Sequence, residues 1–274
     1  MVLPTDIFHV HTFRCGHAEK ISDGAYIQKA IELGATGIWF TDHAPFPGNP
    51  FCNRMEYNKL NEYISTLLQY KEIYSDRISV HIGLEIEYFP SFKTYYEELN
   101  GNANIEMLLL GQHMAEDFPG HYTFSWEKER LTEVEYLALG RATIEGIQSG
   151  FFDAVAHPDR IFRRRQLWDD DMAKISEEII KATQTKDIPL EMNKASMKQK
   201  SHYWSQFWKL VPSTIRKITG IDAHSVGELN YYKEGFEMRT IETTNPIVRA
   251  EVYTDIINDR LAKITELKRK NQII

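Results

Sequence analysis

Short apolar runs alternate along the chain with longer amphipathic ones. Seven runs have the length and composition of strands: 6–11, 36–42, 78–88, 105–113, 151–157, 188–193 and 217–224. Between them the pattern predicts helices near 22–34, 56–74, 127–149, 169–186 and 203–213. In 127–149, Leu131, Val134, Tyr136, Leu137, Ala138, Ile144 and Ile147 recur mostly at three- and four-residue spacing, an apolar stripe interrupted by charge. A last amphipathic stretch, 246–270, opens with Asn245-Pro246, a good N-cap and first-turn pair, and is expected to close the domain. Strand–helix alternation repeated in this way implies a parallel sheet covered by helices. No G-x-G-x-x-G follows the first strand, so an open dinucleotide-binding sheet loses its usual support. A closed, TIM-barrel-like α/β barrel is expected, with its active site at the C-terminal ends of the strands. Without linkers, repeats or low-complexity tracts, residues 1–274 read as one domain.

The polar residues concentrate where the strands end. The first ends His9-Val10-His11; alternation along a strand sends both imidazoles to one face, where they can grip one divalent ion. An isolated pair of this kind is better explained as two hydrogen-bonded histidines at a strand end. The other strands end Thr41-Asp42-His43, Gly83-Leu84-Glu85-Ile86-Glu87, Gly111-Gln112-His113, Ala156-His157-Pro158-Asp159 and Asp222-Ala223-His224, while His17 lies in the first loop. Seven of the ten histidines therefore fall at one mouth of the sheet, together with carboxylates. Buried imidazoles and carboxylates are costly without compensation, and bound cations supply it. His81, His121 and His202 read as non-ligands, and Cys15 as a small buried thiol.

Composition sharpens this picture. The net charge of −7 argues against a nucleic-acid-coating surface, and an apolar share of 42% supports a full core. No apolar run approaches the roughly 18 residues that span a bilayer. The N-terminus MVLPTDIFHVH lacks a basic leader, and two cysteines make no disulfide framework, so a reducing cytoplasm is expected. Against the acidic background stand Arg160, Arg163, Arg164 and Arg165 after the fifth strand, and Lys194, Lys198 and Lys200 after the sixth. They suggest an anion site, with Arg160 the leading residue because it follows His157 by three positions.

These motifs, from His9-x-His11 and Cys15-Gly-His17 to Asp222-Ala-His224, resemble those of the PHP (polymerase and histidinol phosphatase) superfamily, and most closely its monofunctional histidinol-phosphatase branch. The resemblance covers essentially the whole chain. It implies a distorted (β/α)7 barrel with a trinuclear centre of divalent ions (zinc, manganese or iron). His9, His11, Glu85 and Asp222 would hold the first ion. Glu85 would bridge to a second, held also by His113 and His157, and His17, His43 and His224 would hold a third. After the sixth strand this chain has Asn193-Lys194-Ala195-Ser196-Met197-Lys198, so Lys198 stands where a phosphate-gripping arginine is expected.

The chemistry implied is metal-assisted hydrolysis of a small phosphate monoester, L-histidinol phosphate to L-histidinol in histidine biosynthesis. Arg160 and Lys198 would bind the phosphate, and Asp42 or Asp159 would deliver a proton to the leaving group. The segment 114–126, with Glu116, Asp117, Phe118, Tyr122 and Trp126, would close over the substrate. The alternatives are a phosphoesterase acting on nucleotides, short oligonucleotides or sugar phosphates, and a non-catalytic metal-binding module.

Overall fold

The computed structural model describes residues 1–118, 121–125, 131–199 and 202–234. Its centre is a seven-stranded parallel sheet: β1 (Asp6–Val10), β2 (Gly37–His43), β3 (Ser79–Ile86), β4 (Met107–Leu110), β7 (Ala154–Val155), β8 (Leu190–Asn193) and β9 (Lys217–Gly220), in that spatial order. Beyond β9 the chain returns to β1. Ile221 N–H donates to Phe8 O (2.9 Å), Ala223 N–H to His9 O (3.0 Å) and His11 N–H to Ala223 O (2.9 Å). Those bonds close the sheet into the expected barrel. A two-stranded antiparallel hairpin, β5 (Met114–Phe118) with β6 (His121–Phe124), follows β4.

Helices α1 (Asp23–Glu32), α2 (Leu60–Ile73), α3 (Lys93–Gly101), α4 (Glu133–Ser149) and α5 (Asp170–Lys186) connect successive strands, and two short ones, α6 (Lys194–Lys198) and α7 (Ser205–Leu210), lie between β8 and β9. Thr132 caps α4 in a reciprocal capping box with Glu135, and Asp169 caps α5 by accepting from Met172 N–H (2.8 Å). Helix α3 and the hairpin were not expected. The sequence KTYYEELNG has too few apolar positions to announce a helix, yet Tyr95, Tyr96 and Leu99 are buried. Met1–Arg239 forms one compact unit. The helix expected over 246–270 lies outside the described residues.

Strands β1, β2 and β4 are buried on both faces, so they read as continuous runs rather than alternations. Parity still divides the barrel strands. Ile38, Phe40, Val80, Ile82, Leu84, Leu108 and Leu110 pack against the helices, whereas Phe8, Trp39, Met107, Leu109, Ala154 and Ala156 form a separate cluster filling the interior. At the lower end of that interior Trp39 stacks on His81 at 4.1 Å. Higher up, the inward positions turn polar: Thr41, Glu85, Glu191 and Asn193, all buried. Glycine makes the room for them. A Cβ on Gly111 would lie 2.0 Å from Glu85 Oε1, and one on Gly220 only 1.5 Å from Glu191 Oε1.

Candidate metal centre

Glu85 lies fully buried at the head of β3, and imidazoles surround its carboxylate. Oε2 is 3.3 Å from His9 Nε2, 3.5 Å from His11 Nε2 and 3.1 Å from His43 Nδ1. Oε1 is 2.9 Å from His157 Nε2 and 3.6 Å from His113 Nε2. Asp222 adds a second carboxylate, with Oδ1 3.0 Å from His11 Nε2 and 3.6 Å from His9 Nε2. His224 packs on His11 with ring centroids 4.2 Å apart, and His17 on His224 at 4.7 Å. All nine residues expected as metal ligands thus meet at the strand ends.

The donor atoms fall into overlapping groups whose members lie within 4.8 Å of one another: His9/His11/Asp222, His9/Glu85/His157, His43/Glu85/His113, His11/His43/His224 and Cys15/His17/His224. Two atoms each about 2.1 Å from a shared ion stand roughly 3–3.5 Å apart, close to the spacings around Glu85. His9 Nε2, His11 Nε2, His157 Nε2, His224 Nε2 and both oxygens of Glu85 are buried without a hydrogen-bond partner. Orphaned atoms of this kind, all aimed into one space, are the electronic match of divalent cations.

Outer carboxylates hydrogen-bond two of the rings and lie near a third. Glu191 Oε1 is 2.7 Å from His9 Nδ1, and its Oε2 accepts from His157 N–H (3.0 Å) and Asn193 Nδ2 (3.3 Å). Asp42 Oδ1 lies 3.5 Å from His11 Nδ1, and Glu87 Oε1 lies 3.2 Å from His113 Nδ1. Glu87 is itself held by Arg54 through bonds of 2.9 and 3.1 Å. For His9 and His113 the carboxylate behind the imidazole fixes its tautomer and presents the other nitrogen's lone pair inward. Glu191 and Glu87 were not expected in these roles. The signal for Glu191 was a carboxylate inside the short apolar run of β8, in step with Asn193.

The electrostatics divide the rings. Burial lowers His157 to about 4, with Arg160 assisting, and lowers His224 to about 3; both are neutral donors. For His11, burial is outweighed by Asp222 and Asp42, which raise it to about 9. His9 is likewise raised, by Glu191, Glu85 and Asp222 against the effect of burial. A cation entering here displaces protons from these two rings.

Backbone conformation is unusual at the same place. His9, His157 and Asp222 have φ of 69°, 26° and 60°, and the β1–β2 register shifts between Ile7 and Val10. Left-handed geometry is uncommon outside glycine and concentrates where function over-determines it.

A cleft of 460 Å³ opens above the centre, lined by residues that include His17, His43, Arg54, His113, Arg160, Arg163, Gln199, His202, Asp222, His224 and Glu228. Arg160 donates to Asp222 Oδ2 (2.6 Å), Asn193 Oδ1 (2.9 Å) and Ser196 Oγ (2.7 and 3.0 Å).

Other expected residues are placed differently. Lys198 pairs with Glu234, lies 4.9 Å from the Tyr231 ring and does not line the cleft. Lys194 is turned to the carbonyls of Tyr231, Tyr232 and Glu234. Asp42 accepts from the Thr12 hydroxyl and from His43 N–H (2.9 Å), behind the histidines rather than in the cleft. Asp159 is buried beneath the loop and accepts from Trp204 N–H (2.8 Å) and Trp208 Nε1 (3.1 Å). Neither carboxylate is among the residues lining the cleft, and each serves as an acceptor for nearby donors. Tyr122 packs on Phe51 and Phe89 instead of over the cleft, and Trp126 and Lys200 lie outside the described residues. His202, taken as a non-ligand, is buried in the cleft wall. The Cys15 thiol is buried and pushed up to about 12, mainly by that burial.

A family model described as PHP domain matches residues 8–195. The chain belongs to the PHP domain family. This PHP domain is 28% identical over 237 residues to a protein of Deinococcus radiodurans named as a probable histidinol-phosphatase, covering 81% of this chain and 87% of the relative. It is 21% identical over 260 residues to the histidinol-phosphatase of Bacillus subtilis, covering 83% and 96%. A solved structure of histidinol phosphate phosphatase from Lactococcus lactis, in complex with zinc, L-histidinol and phosphate, has the same fold, with a TM-score of 0.62, 20% identity and coverage of 84% and 91%.

Proposed function

We propose that this PHP domain is a metal-dependent phosphomonoester hydrolase that converts L-histidinol phosphate to L-histidinol and inorganic phosphate. The observation that carries the reading is the convergence of five imidazoles on the two oxygens of buried Glu85, beneath a cleft with an arginine wall. The relatives' activity, as named, and the zinc, L-histidinol and phosphate bound by the Lactococcus protein support the same substrate.

The donor groups would hold three divalent ions, and Glu85 would serve two of them. Such ions, when bound, lower the pKa of water and neutralise phosphate oxygens. The chain's own residues do the positioning. Glu191 and Glu87 aim His9 and His113, and the Asp42 charge lies 3.5 Å behind His11. Arg160 holds Asp222 in place and presents positive charge to the phosphate as its oxygens gain charge. A reducing compartment such as the cytoplasm suits Cys15 and Cys52, both free thiols. No helix of the described residues is long and apolar enough to cross a membrane.

The test is phosphate released from L-histidinol phosphate by protein stripped with chelator and reconstituted with Mn²⁺, Zn²⁺ or Fe²⁺. Metal-dependent kcat/KM of about 10⁴ M⁻¹s⁻¹ or more, usual for a native substrate, is expected. Glu85→Ala and His9→Ala abolish it. Faster turnover of nucleotides or sugar phosphates moves the substrate and keeps the centre. Reconstituted protein that hydrolyses no phosphate ester at all would reduce it to a metal-binding module.

A further inference from the structure

Two arginines of the loop after β7 line the cleft, and they differ in one respect. Arg160 is fully engaged by Asp222, Asn193 and Ser196. Arg163 is not: its Nε is buried, and none of its guanidinium nitrogens donates to a carboxylate, carbonyl or hydroxyl of the described residues. Other buried arginines have such partners, Arg54 in Glu87 and Arg165 in Asp169. Arg163 is half-buried on the cleft wall, so its guanidinium charge, with no carboxylate of the described residues against it, is directed at the cleft, where an anion would complete it. The nearby carboxylates are committed elsewhere. Asp222 is held by Arg160, and Glu228 accepts from the backbone N–H groups of His224 and Ser225 (2.7 and 3.0 Å). Burial, together with Arg164 and Arg160, lowers Arg163 to about 10, so an anion arriving there also relieves repulsion between cations.

We infer that Arg163 is a phosphate-binding residue, gripping a nonbridging oxygen of a phosphate monoester dianion beside Arg160 in the role that Lys198, tied to Glu234, does not fill. This rests on the phosphomonoesterase reading for its ligand but not for its geometry. Two guanidiniums, Arg160 fixed and Arg163 open to a ligand, match the two charges of the dianion and supply planar forks for its oxygens.

The experiment titrates inorganic phosphate calorimetrically into the full chain loaded with Mn²⁺, for wild type, Arg163→Met and Arg163→Lys, with the metal content and circular dichroism of each variant measured alongside. Losing one charged hydrogen-bonding group should weaken phosphate binding in Arg163→Met by about 10- to 100-fold. Arg163→Lys, which keeps the charge without the fork, recovers part of the loss. KM for L-histidinol phosphate rises with the phosphate Kd. A correctly metallated Arg163→Met whose phosphate Kd and KM stay within twofold of wild type overturns the inference and leaves the enzyme reading intact. Wild type that binds phosphate through Arg163 but releases none from L-histidinol phosphate does the opposite.

Discussion

Replacing Glu191 by glutamine changes one oxygen for an NH₂ group in a site with no room to adjust. The two carboxylate oxygens have separate duties: Oε1 faces His9 Nδ1 at 2.7 Å, and Oε2 accepts from His157 N–H at 3.0 Å and from Asn193 Nδ2 at 3.3 Å. An amide serves only one of them. If its oxygen faces His9, its NH₂ meets the His157 N–H, donor against donor; the flipped amide fails His9 instead. The residue is fully buried, and water has no access to repair either loss. A hydrogen bond to a charged group is worth about 1.5–3 kcal/mol, and an unsatisfied buried donor costs a similar amount. Because Glu191 aims His9 Nε2 at Glu85 and Asp222, that penalty falls on metal binding, where loss of an outer partner costs about 10- to 100-fold in affinity. The assay is equilibrium competition with a chelator for Zn²⁺ or Mn²⁺, with circular dichroism as the control for folding. A folded Glu191→Gln protein that binds metal within twofold of wild type would falsify the assignment of Glu191 as the positioning group for His9.

Other predictions concern the frame around the centre. Arg54→Met leaves Glu87 buried without its partner, so urea unfolding should show a loss of about 3–5 kcal/mol; a loss under about 1 kcal/mol would mean Glu87 is not compensated by Arg54. Gly220→Ala drives a Cβ into Glu191 Oε1, and Gly111→Ala drives one into Glu85 Oε1, so both should purify metal-poor; full metal content in either contradicts the close packing seen here. Asp159 is raised from 3.8 to about 7, chiefly by burial. The native state therefore holds a proton that the unfolded chain has lost, and this contribution to stability is complete below about pH 4 and lost as pH rises through 7. Asp159→Asn removes the loss, so its stability relative to wild type should climb between pH 4 and 7 and then level off. A gap independent of pH would show that Asp159 ionises normally.

Much of the centre was legible because strand parity and strand ends are short-range properties. His9 and His11, two apart, do meet at Asp222 and Glu85, although His9 reaches there through a left-handed residue and a register shift that no spacing rule contains. Parity alone could not separate Glu85 from Glu87; the resemblance to other PHP sequences chose between them, and the physical reason is Arg54, which draws Glu87 outward. The strands were legible as short apolar runs, and those of β1, β2 and β4 are buried on both faces. What stayed hidden depends on long-range pairing. Glu191 meets His9 across 182 residues. Lys198 stands at a position suited to phosphate and is diverted by Glu234, a partner that local sequence does not announce.

The seam of the barrel has a consequence for how the protein is made. Its closing hydrogen bonds join β1 to residues 221–223, and the metal donors straddle the same line, His9 and His11 on one bank, Asp222 and His224 on the other. During synthesis the first bank emerges early and waits, a half-built chelate exposed to whatever cations the cell contains. It gains its full denticity only when nearly the whole described chain has been translated and the last strand zips against the first. Tight capture of metal is thereby postponed to the end of folding. The completed barrel, rather than the nascent polypeptide, decides which ion is kept, and the ion in turn staples together the two stretches of chain that had furthest to travel.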